Sequence, residues 1–458
     1  MRSRPKWFTV HRWLGIGLGV WFALVGLSGA ILVFEDPIDA WLNPHLLTTV
    51  SRGPQLSAQQ IVERADVQFP LGLVEKIRFP IADEDVYRLT LRVKPRRVGA
   101  ERIEAMFDPV TGAHQGARSL ETLGVSPPDF LRTLYEFHRN VLLGNAGSNI
   151  VGIAGILLLT SAVTGFVLAA SRTRAALRRI VWINPRTSAT RIAFDVHRST
   201  GIVFAITLLL ATMTGATLVY VNYVRDLVSV FSKVAPFPTV PWQSQDAHEP
   251  LQLDRVIADV KGRFPEHELL EVHGSPRQMA GHLYYLKRPG DVHRLGDTIA
   301  WINPVSGEMM VERSPRTRTA GEGFMHWLFP LHSGTAFGTV GQVAMSATGV
   351  VPLLLVFTGL WVWLRKRRGE RISRERRLIR DSAASNPRPR NHASARRKDE
   401  CASPLMWQSH AAIAVPGTSS ANESKRPVDN SAFAGGDRSC RFDVDADRRA
   451  PRADDRGA

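Results

Sequence analysis

The chain has 458 residues, with 58 Lys and Arg against 42 Asp and Glu, 14 His, 2 Cys and 44% apolar residues, enough for two or three domain-sized units. Two cysteines exclude a disulfide framework and a zinc ribbon, and both, Cys401 and Cys440, fall in a polar C-terminal stretch away from any periodic segment. A near-neutral mean hydropathy conceals segregation, because the apolar residues gather in long uncharged runs and those runs set the class.

The first run, 14–34, is opened by His11-Arg12-Trp13-Leu14-Gly15-Ile16 and preceded by Arg2, Arg4 and Lys6. Ser28-Gly29-Ala30 resembles a signal cleavage site, but the run is too long for a signal core and stays apolar past Ala30, so residues 1–36 read as a cytoplasmic N-terminus and an uncleaved first span. Residues 37–137 form the first exported segment. In it, Ser57-Ala58-Gln59-Gln60-Ile61-Val62-Glu63-Arg64-Ala65 predicts a capped amphipathic helix, and Val86-Tyr87-Arg88-Leu89-Thr90-Leu91-Arg92-Val93 alternates as a half-buried strand. A further strand ends in Met106-Phe107-Asp108-Pro109-Val110-Thr111-Gly112. The second span, 138–171, is entered through Phe137-His138-Arg139-Asn140-Val141-Leu142-Leu143-Gly144 and contains the uncharged run 150–170.

A basic link, 172–196, leads to Asp195-Val196-His197-Arg198-Ser199-Thr200-Gly201 and the third span, 197–224, with its uncharged run 201–224. The second exported segment, 225–331, repeats the parts of the first: a helix over 253–264, a strand at Leu283-Tyr284-Tyr285-Leu286 and a turn at Trp301-Ile302-Asn303-Pro304-Val305-Ser306-Gly307. The fourth span, 332–364, follows Leu331-His332-Ser333-Gly334 and holds the run 340–364. Residues 365–458 begin Arg365-Lys366-Arg367-Arg368, lack a sustained apolar period and read as a disordered tail whose basic start suits anionic lipid headgroups.

Charge gives the orientation. Residues 1–12 carry +4, residues 171–198 carry +6 and the tail carries +9, leaving −3 for the rest of a chain of net +16. Basic segments next to spans stay cytoplasmic, so both termini and the link are expected inside and both long segments outside. The same rule explains the basicity as topology, and no nucleic-acid partner is expected.

The order span, exported segment, returning span thus occurs twice, a parallel repeat with an expected pseudo-twofold axis along the membrane normal. Ser28-Gly29-Ala30 corresponds to Thr214-Gly215-Ala216, and Thr164-Gly165 to Thr358-Gly359; small residues at such points let helices approach closely, and packing alone accounts for them. The fold class expected is a membrane α-helical protein of four transmembrane helices in two parallel repeats with two small exported α+β domains. The His-Arg-Trp-Leu-Gly, Phe-His-Arg-Asn-Val-Leu-Leu-Gly, Asp-Val-His-Arg-Ser-Thr-Gly and Leu-His-Ser-Gly openings, with an Asp-Pro-x-Thr-Gly turn between, resemble the PepSY-associated transmembrane family over residues 7–368. That resemblance implies an inner-membrane protein of the iron-regulated or siderophore-iron reductase type.

Every span has a histidine at one end. His11 and His197 fall on the cytoplasmic side, and His138 and His332 on the exported side, in repeat-related positions. Two imidazoles on facing helices suit a six-coordinate haem iron, so the repeat together with the resemblance suggests two haems b, one held by each pair. Arg12, Arg139 and Arg198 each follow such a histidine and suit haem propionates. Arg139 is the most informative of them, because an exported-side arginine is not explained by topology. His326 competes with His332 as a ligand.

Other signals are weaker. Gly15-x-Gly17-x-Gly19 lies in a span with no preceding strand and reads as packing. His267, Glu268, His273, His282 and His293 cluster in the second exported segment at spacings that fit no standard metal site, and are kept as a surface for substrate iron. With no flavin or nicotinamide motif, electrons are expected from a separate cytoplasmic reductase or from quinol. The resemblance implies a ferric siderophore or another periplasmic iron chelate as acceptor. The alternative is a membrane-anchored regulatory protein that binds or senses peptidases without a redox cofactor. A transporter built on parallel repeats is disfavoured by spans without a central charge.

Overall fold

The computed structural model describes residues 6–93, 101–170, 182–235, 253–274, 282–303 and 307–385. Arg172, Arg174, Arg178 and Arg179 of the link, the centre of the turn at 304–306 and the tail from 386 onward, with Cys401 and Cys440, lie outside them.

The first apolar run folds as α1 (Lys6–Leu32). Glu35 and Asp36 then open α2 (Glu35–Leu42), where their charge favours a helix N-terminus, and α3 (Pro44–Leu47) has proline in its first turn. Ser57 and Gln60 form a reciprocal capping box at the start of α4 (Ala58–Gln68), which buries Ala58, Ile61, Val62 and Ala65. Four strands follow: β1 (Leu73–Arg78), β2 (Tyr87–Val93), β3 (Glu101–Phe107) and β4 (His114–Ser119). α5 (Pro127–Asn140) and α6 (Gly144–Ala170) complete the first half.

The second half runs through α7 (Ala189–Val203), α8 (Ala205–Val219), α9 (Val221–Ser229) and α10 (Leu253–Arg263). Then come β5 (Glu268–His273), β6 (His282–Lys287), β7 (Thr298–Ile302) and β8 (Met309–Arg313). It closes with α11 (Ala320–Ser333) and the long α12 (Gly338–Ser385). Among the described residues three helices are long and apolar enough to cross a membrane, and a fourth span is completed only by taking α7 and α8 together across a 62° bend. The chain is a multi-pass membrane protein with an extramembrane sheet.

Three findings differ from the sequence expectations. The third span is broken at Phe204, whose carbonyl accepts from Thr207 Oγ1 (3.2 Å) just past the bend. The strands do not form two separate modules but one eight-stranded sheet, in the order β4-β3-β2-β1-β5-β6-β7-β8. Its two halves join antiparallel through Lys76 opposite His273, Ile77 opposite Val272 and Arg78 opposite Glu271, which removes two edge strands that would otherwise stay unpaired. Finally, the expected disorder from residue 369 gives way to helix as far as Ser385. Glu370 and Arg374, Arg371 and Glu375, and Arg377 and Asp381 stand at the i,i+4 spacing that favours helix, and the first proline is Pro387.

α4 and α10 cover one face of the sheet, and Asp254 Oδ1 accepts from the Gln59 amide (3.0 Å) where they meet. Ile61, Ala65, Val260, Leu89, Leu91, Tyr284 and Leu286 are buried in this shared core. The other face carries charge in pairs: Arg118 bonds Asp39 and Glu104, Arg88 bonds Glu104, and Lys76 lies 3.8 Å from Glu271. Burial alone would raise the Glu104 pKa, but Arg88 and Arg118 outweigh it and hold the carboxyl well below its usual range. Two further ion pairs join the sheet to the start of α2, Arg78 to Asp36 (3.2 Å) and Arg294 to Glu35 (3.3 Å).

Below the sheet, α1 packs on α12, α6 on α8 and α7 on α12. A Cβ at Gly26 would lie 2.5 Å from the Gly349 carbonyl oxygen, so α1 and α12 cross in near backbone contact. Ser346 donates to the Ala30 carbonyl (2.9 Å), and Thr348 donates to Thr207 (2.8 Å) between α12 and α8.

Candidate functional site

The four span-end histidines meet as two pairs. His11 of α1 and His197 of α7 have ring centroids 6.2 Å apart at 80°, and His138 of α5 and His332 of α11 have centroids 6.3 Å apart at 43°. Each half of the chain thus supplies one histidine to each pair. Along α1, His11 and Gly29, the glycine under His138, are separated by about 27 Å of helix rise, so the pairs stand at opposite ends of the bundle.

Each ring is held in the same way. Nδ1 of His11 donates to the Ser161 carbonyl (2.9 Å), His138 to Val25 (2.9 Å), His197 to Leu355 (3.0 Å) and His332 to Ala211 (3.1 Å). A carbonyl can only accept, so all four are Nδ1–H tautomers whose Nε2 keeps a free lone pair. A hydroxyl stands beside each Nδ1: Ser28 at His138, Thr214 at His332 and Thr358 at His197, all at 3.1 Å, and Thr164 at His11 at 3.4 Å. These hydroxyls donate to carbonyls of their own helices and so offer oxygen lone pairs to the ring N–H.

The residue after each hydroxyl is a glycine on which the ring rests. A Cβ at Gly29 would lie 2.7 Å from Cε1 of His138, at Gly165 2.9 Å from His11, at Gly215 2.9 Å from His332 and at Gly359 3.2 Å from His197. No side chain larger than hydrogen fits without moving an imidazole. The Ser-Gly and Thr-Gly dipeptides expected as helix-packing points are therefore histidine cradles. Their spacing alone gave no sign of it, because the ring they receive comes from a distant helix.

Two tight junctions aim the second member of each half. After His138, Val141 and Leu142 adopt positive φ (49° and 63°), and a Cβ at Gly147 would collide with the Asn140 carbonyl. After His332, Gly334 takes φ 84°, and a Cβ at Gly341 would lie 2.2 Å from the Gly334 oxygen. In both, a residue two past the histidine touches a glycine seven further on, which turns the chain sharply from α5 into α6 and from α11 into α12.

The arginines are placed less uniformly. Arg12 lies over the rings of Phe8 (5.8 Å) and Trp13 (5.4 Å), and its Nε is buried without a hydrogen bond. Arg198 pairs with buried Asp195 (3.1 Å) and Arg139 with buried Glu136 (3.0 Å). His326 does not face His138. Its Nε2 lies 2.7 Å from Asp297 Oδ1, and its ring is 5.1 Å from that of His293. The other histidines of residues 253–303 do not converge as a substrate-iron surface would require. His267 contacts Thr298 (3.2 Å), His273 contacts Glu271 (2.7 Å) and His282 is buried, and among the described residues no three His, Cys, Asp or Glu side chains gather in metal-binding geometry.

What remains chemically is two facing imidazole pairs. A first-row metal sits about 2.0–2.1 Å from an imidazole nitrogen, so two imidazoles on opposite sides of one metal hold their centroids about 6.3 Å apart. Both observed separations fit that arrangement, and the Nδ1–H bonds to carbonyls are the usual orienting partners of a metal-ligating histidine.

The sequence profile of the PepSY-associated TM region matches residues 8–366. The chain belongs to this family. The match spans both histidine pairs and the whole sheet, and ends as α12 leaves its apolar run. No curated protein matches the chain.

Proposed function

We propose that this PepSY-associated protein is a haem-binding electron carrier of the bacterial inner membrane that reduces chelated ferric iron, such as a siderophore complex, on the exported side. The observation that carries this reading is the two histidine pairs, each at a separation that would suit two imidazoles sharing one metal and each with Nδ1 committed to a carbonyl. His11 and His197 would hold one haem b, and His138 and His332 the other.

When bound, haem supplies one-electron chemistry at a potential set by its axial ligands and their burial. The chain's own residues do the rest. The carbonyls of Ser161, Val25, Leu355 and Ala211 fix each imidazole tautomer and raise the basicity of Nε2, and the four glycines set ring position. Arg12, which has no carboxylate partner among the described residues, is the strongest candidate to receive a propionate, while Arg139 and Arg198 would share theirs with Glu136 and Asp195. Pairs about 27 Å apart nearly match a hydrocarbon core of about 30 Å.

On this reading the bent α7 and α8 count as one span, and the four spans form two parallel repeats about a pseudo-twofold axis. The basic residues near His11 and His197 put that pair, both termini and the link in the cytoplasm and the sheet, with its two PepSY-like halves, outside. Electrons would come from a cytoplasmic reductase or from quinol, and the surrounding lipid insulates the path.

Purification in mild detergent, a reduced-minus-oxidised spectrum and a haem-to-protein ratio test the proposal. A low-spin b-type spectrum at two haems per chain is the expected result. A colourless protein from haem-replete cells would overturn it in favour of a cofactor-free regulatory role for the sheet.

A further inference from the structure

Among the described residues a long exposed charged helix lies at the His11 and His197 end of the bundle. α12 passes Gly359, the cradle of His197, leaves its apolar run at Leu364 and continues unbroken to Ser385. Residues 365–385 add about 30 Å of helix beyond the span. Every residue from Leu364 to Ser382 is exposed. The stretch carries nine bases, Arg365 through Arg380, against Glu370, Glu375 and Asp381.

Its two ends differ. Arg365 lies over Trp361 (5.0 Å) and Arg367 over Trp363 (4.6 Å), so the first charges fold back on the aromatic rim of the span, as membrane-flanking cations do. Arg371, Arg374, Arg376, Arg377 and Arg380 make no ion pair among the described residues and stand about 9–22 Å further along the axis. A lipid surface potential decays over a Debye length of about 8–10 Å, so most of these cations lie too far out to be explained by headgroups. Ile372, Leu378 and Ile379 are exposed among them, 45%, 70% and 68% respectively. Apolar side chains ringed by arginine, with acids interspersed, make a surface for a protein better than one for a phosphate backbone.

We propose that the outer part of α12 is the docking arm for a soluble acidic electron-carrier protein. This rests on the electron-transfer reading, since the arm stands at the end where electrons would enter. Arginines steer the encounter and the apolar side chains hold the register once the partner arrives.

The test uses the full chain in nanodiscs of neutral phosphatidylcholine and, as probe, a purified acidic flavodoxin. Binding is titrated at low and high salt for the wild type, for R371E/R374E/R377E and for I372S/L378S/I379S. Charge reversal is expected to weaken binding at least tenfold at low salt and to abolish its salt dependence, and the serine variant to weaken it severalfold at either salt. Haem content should not change in either. Unaltered flavodoxin affinity in the charge-reversed protein would overturn the proposal. So would a larger loss of binding to phosphatidylglycerol vesicles, or to duplex DNA, than to the flavodoxin. A protein that purifies colourless from haem-replete cells yet binds the flavodoxin in this charge-dependent way would sink the electron-transfer reading and leave the acidic-partner surface standing.

Discussion

The helical bundle and the extramembrane sheet handle polar groups in opposite ways. In the sheet, charges are numerous and cancel locally: Asp39, Glu104, Arg88 and Arg118 neutralise one another across the face turned from the core, and Glu271 is shared by Lys76 and His273. In the bundle, the polar side chains are few and hydrogen-bonded to backbone, and four of them, the histidines, keep one nitrogen uncommitted. Buried polar groups are normally satisfied, so a repeated half-satisfied group in the apolar region is what supports the haem proposal, while a fully paired charge ladder marks structure.

That contrast can be broken at several points. The largest effect on cofactor content is expected at the cradles. Gly165→Leu drives a side chain into the His11 ring, and Gly29→Leu into that of His138. If each histidine pair holds a haem as proposed, each variant should remove one of two, while costing about 1–3 kcal/mol in packing. A haem ratio and a thermal melt read both quantities, and retention of both haems in either variant would contradict the cradle role.

Next comes the sheet. Arg118→Ala strands Asp39 and Glu104 as buried, under-compensated carboxylates, an expected loss of about 3–5 kcal/mol. Arg92→Ala breaks a largely exposed pair with Glu75 and should cost less than about 1 kcal/mol. Denaturant titration followed by sheet circular dichroism separates the two, and equal losses would refute the distinction between the ladder and the rim.

A smaller effect depends on pH. Burial, reinforced by neighbouring His326, lowers His293 to about 4 from its usual 6.5, while Asp297 opposes the shift and Arg294 and Arg318 add to it. A depressed histidine favours the folded form above the unfolded value, so its contribution is lost as pH falls from about 6.5 toward 4. Hydrogen-exchange protection factors, taken relative to the intrinsic rate at each pH, should therefore fall in the loop 288–297 and the start of α11 on going from pH 7 to pH 5, and His293→Gln should flatten that change. At the α4 cap, Ser57→Ala should cost about 1 kcal/mol, read in the same denaturant titration.

Much of this architecture was legible because its signals are local. Uncharged runs gave the spans, alternation at Tyr87–Val93 gave a strand, and Ser57 with Gln60 marked a helix start. The recurring order of parts in the sequence led to His11 with His197 and His138 with His332, and those rings lie 6.2 and 6.3 Å apart. What stayed hidden depends on contacts distant in sequence or on no period at all. Nothing in β1 or β5 announces that Ile77 lies beside Val272. The bend at Phe204 follows no proline. The outer part of α12 is a mostly polar helix whose three apolar residues, Ile372, Leu378 and Ile379, are too few for a sustained period, and the cradle role of Gly29 or Gly165 is visible only once the ring that rests on it is known.

The most direct measurement is the haem count of four single variants, His11→Ala, His197→Ala, His138→Ala and His332→Ala, each purified folded and titrated for its midpoint potential. Two facing pairs predict one haem per chain in every variant, with the first two retaining the same potential and the last two retaining the other. Two haems in all four, or a surviving potential that does not sort by pair, would contradict it.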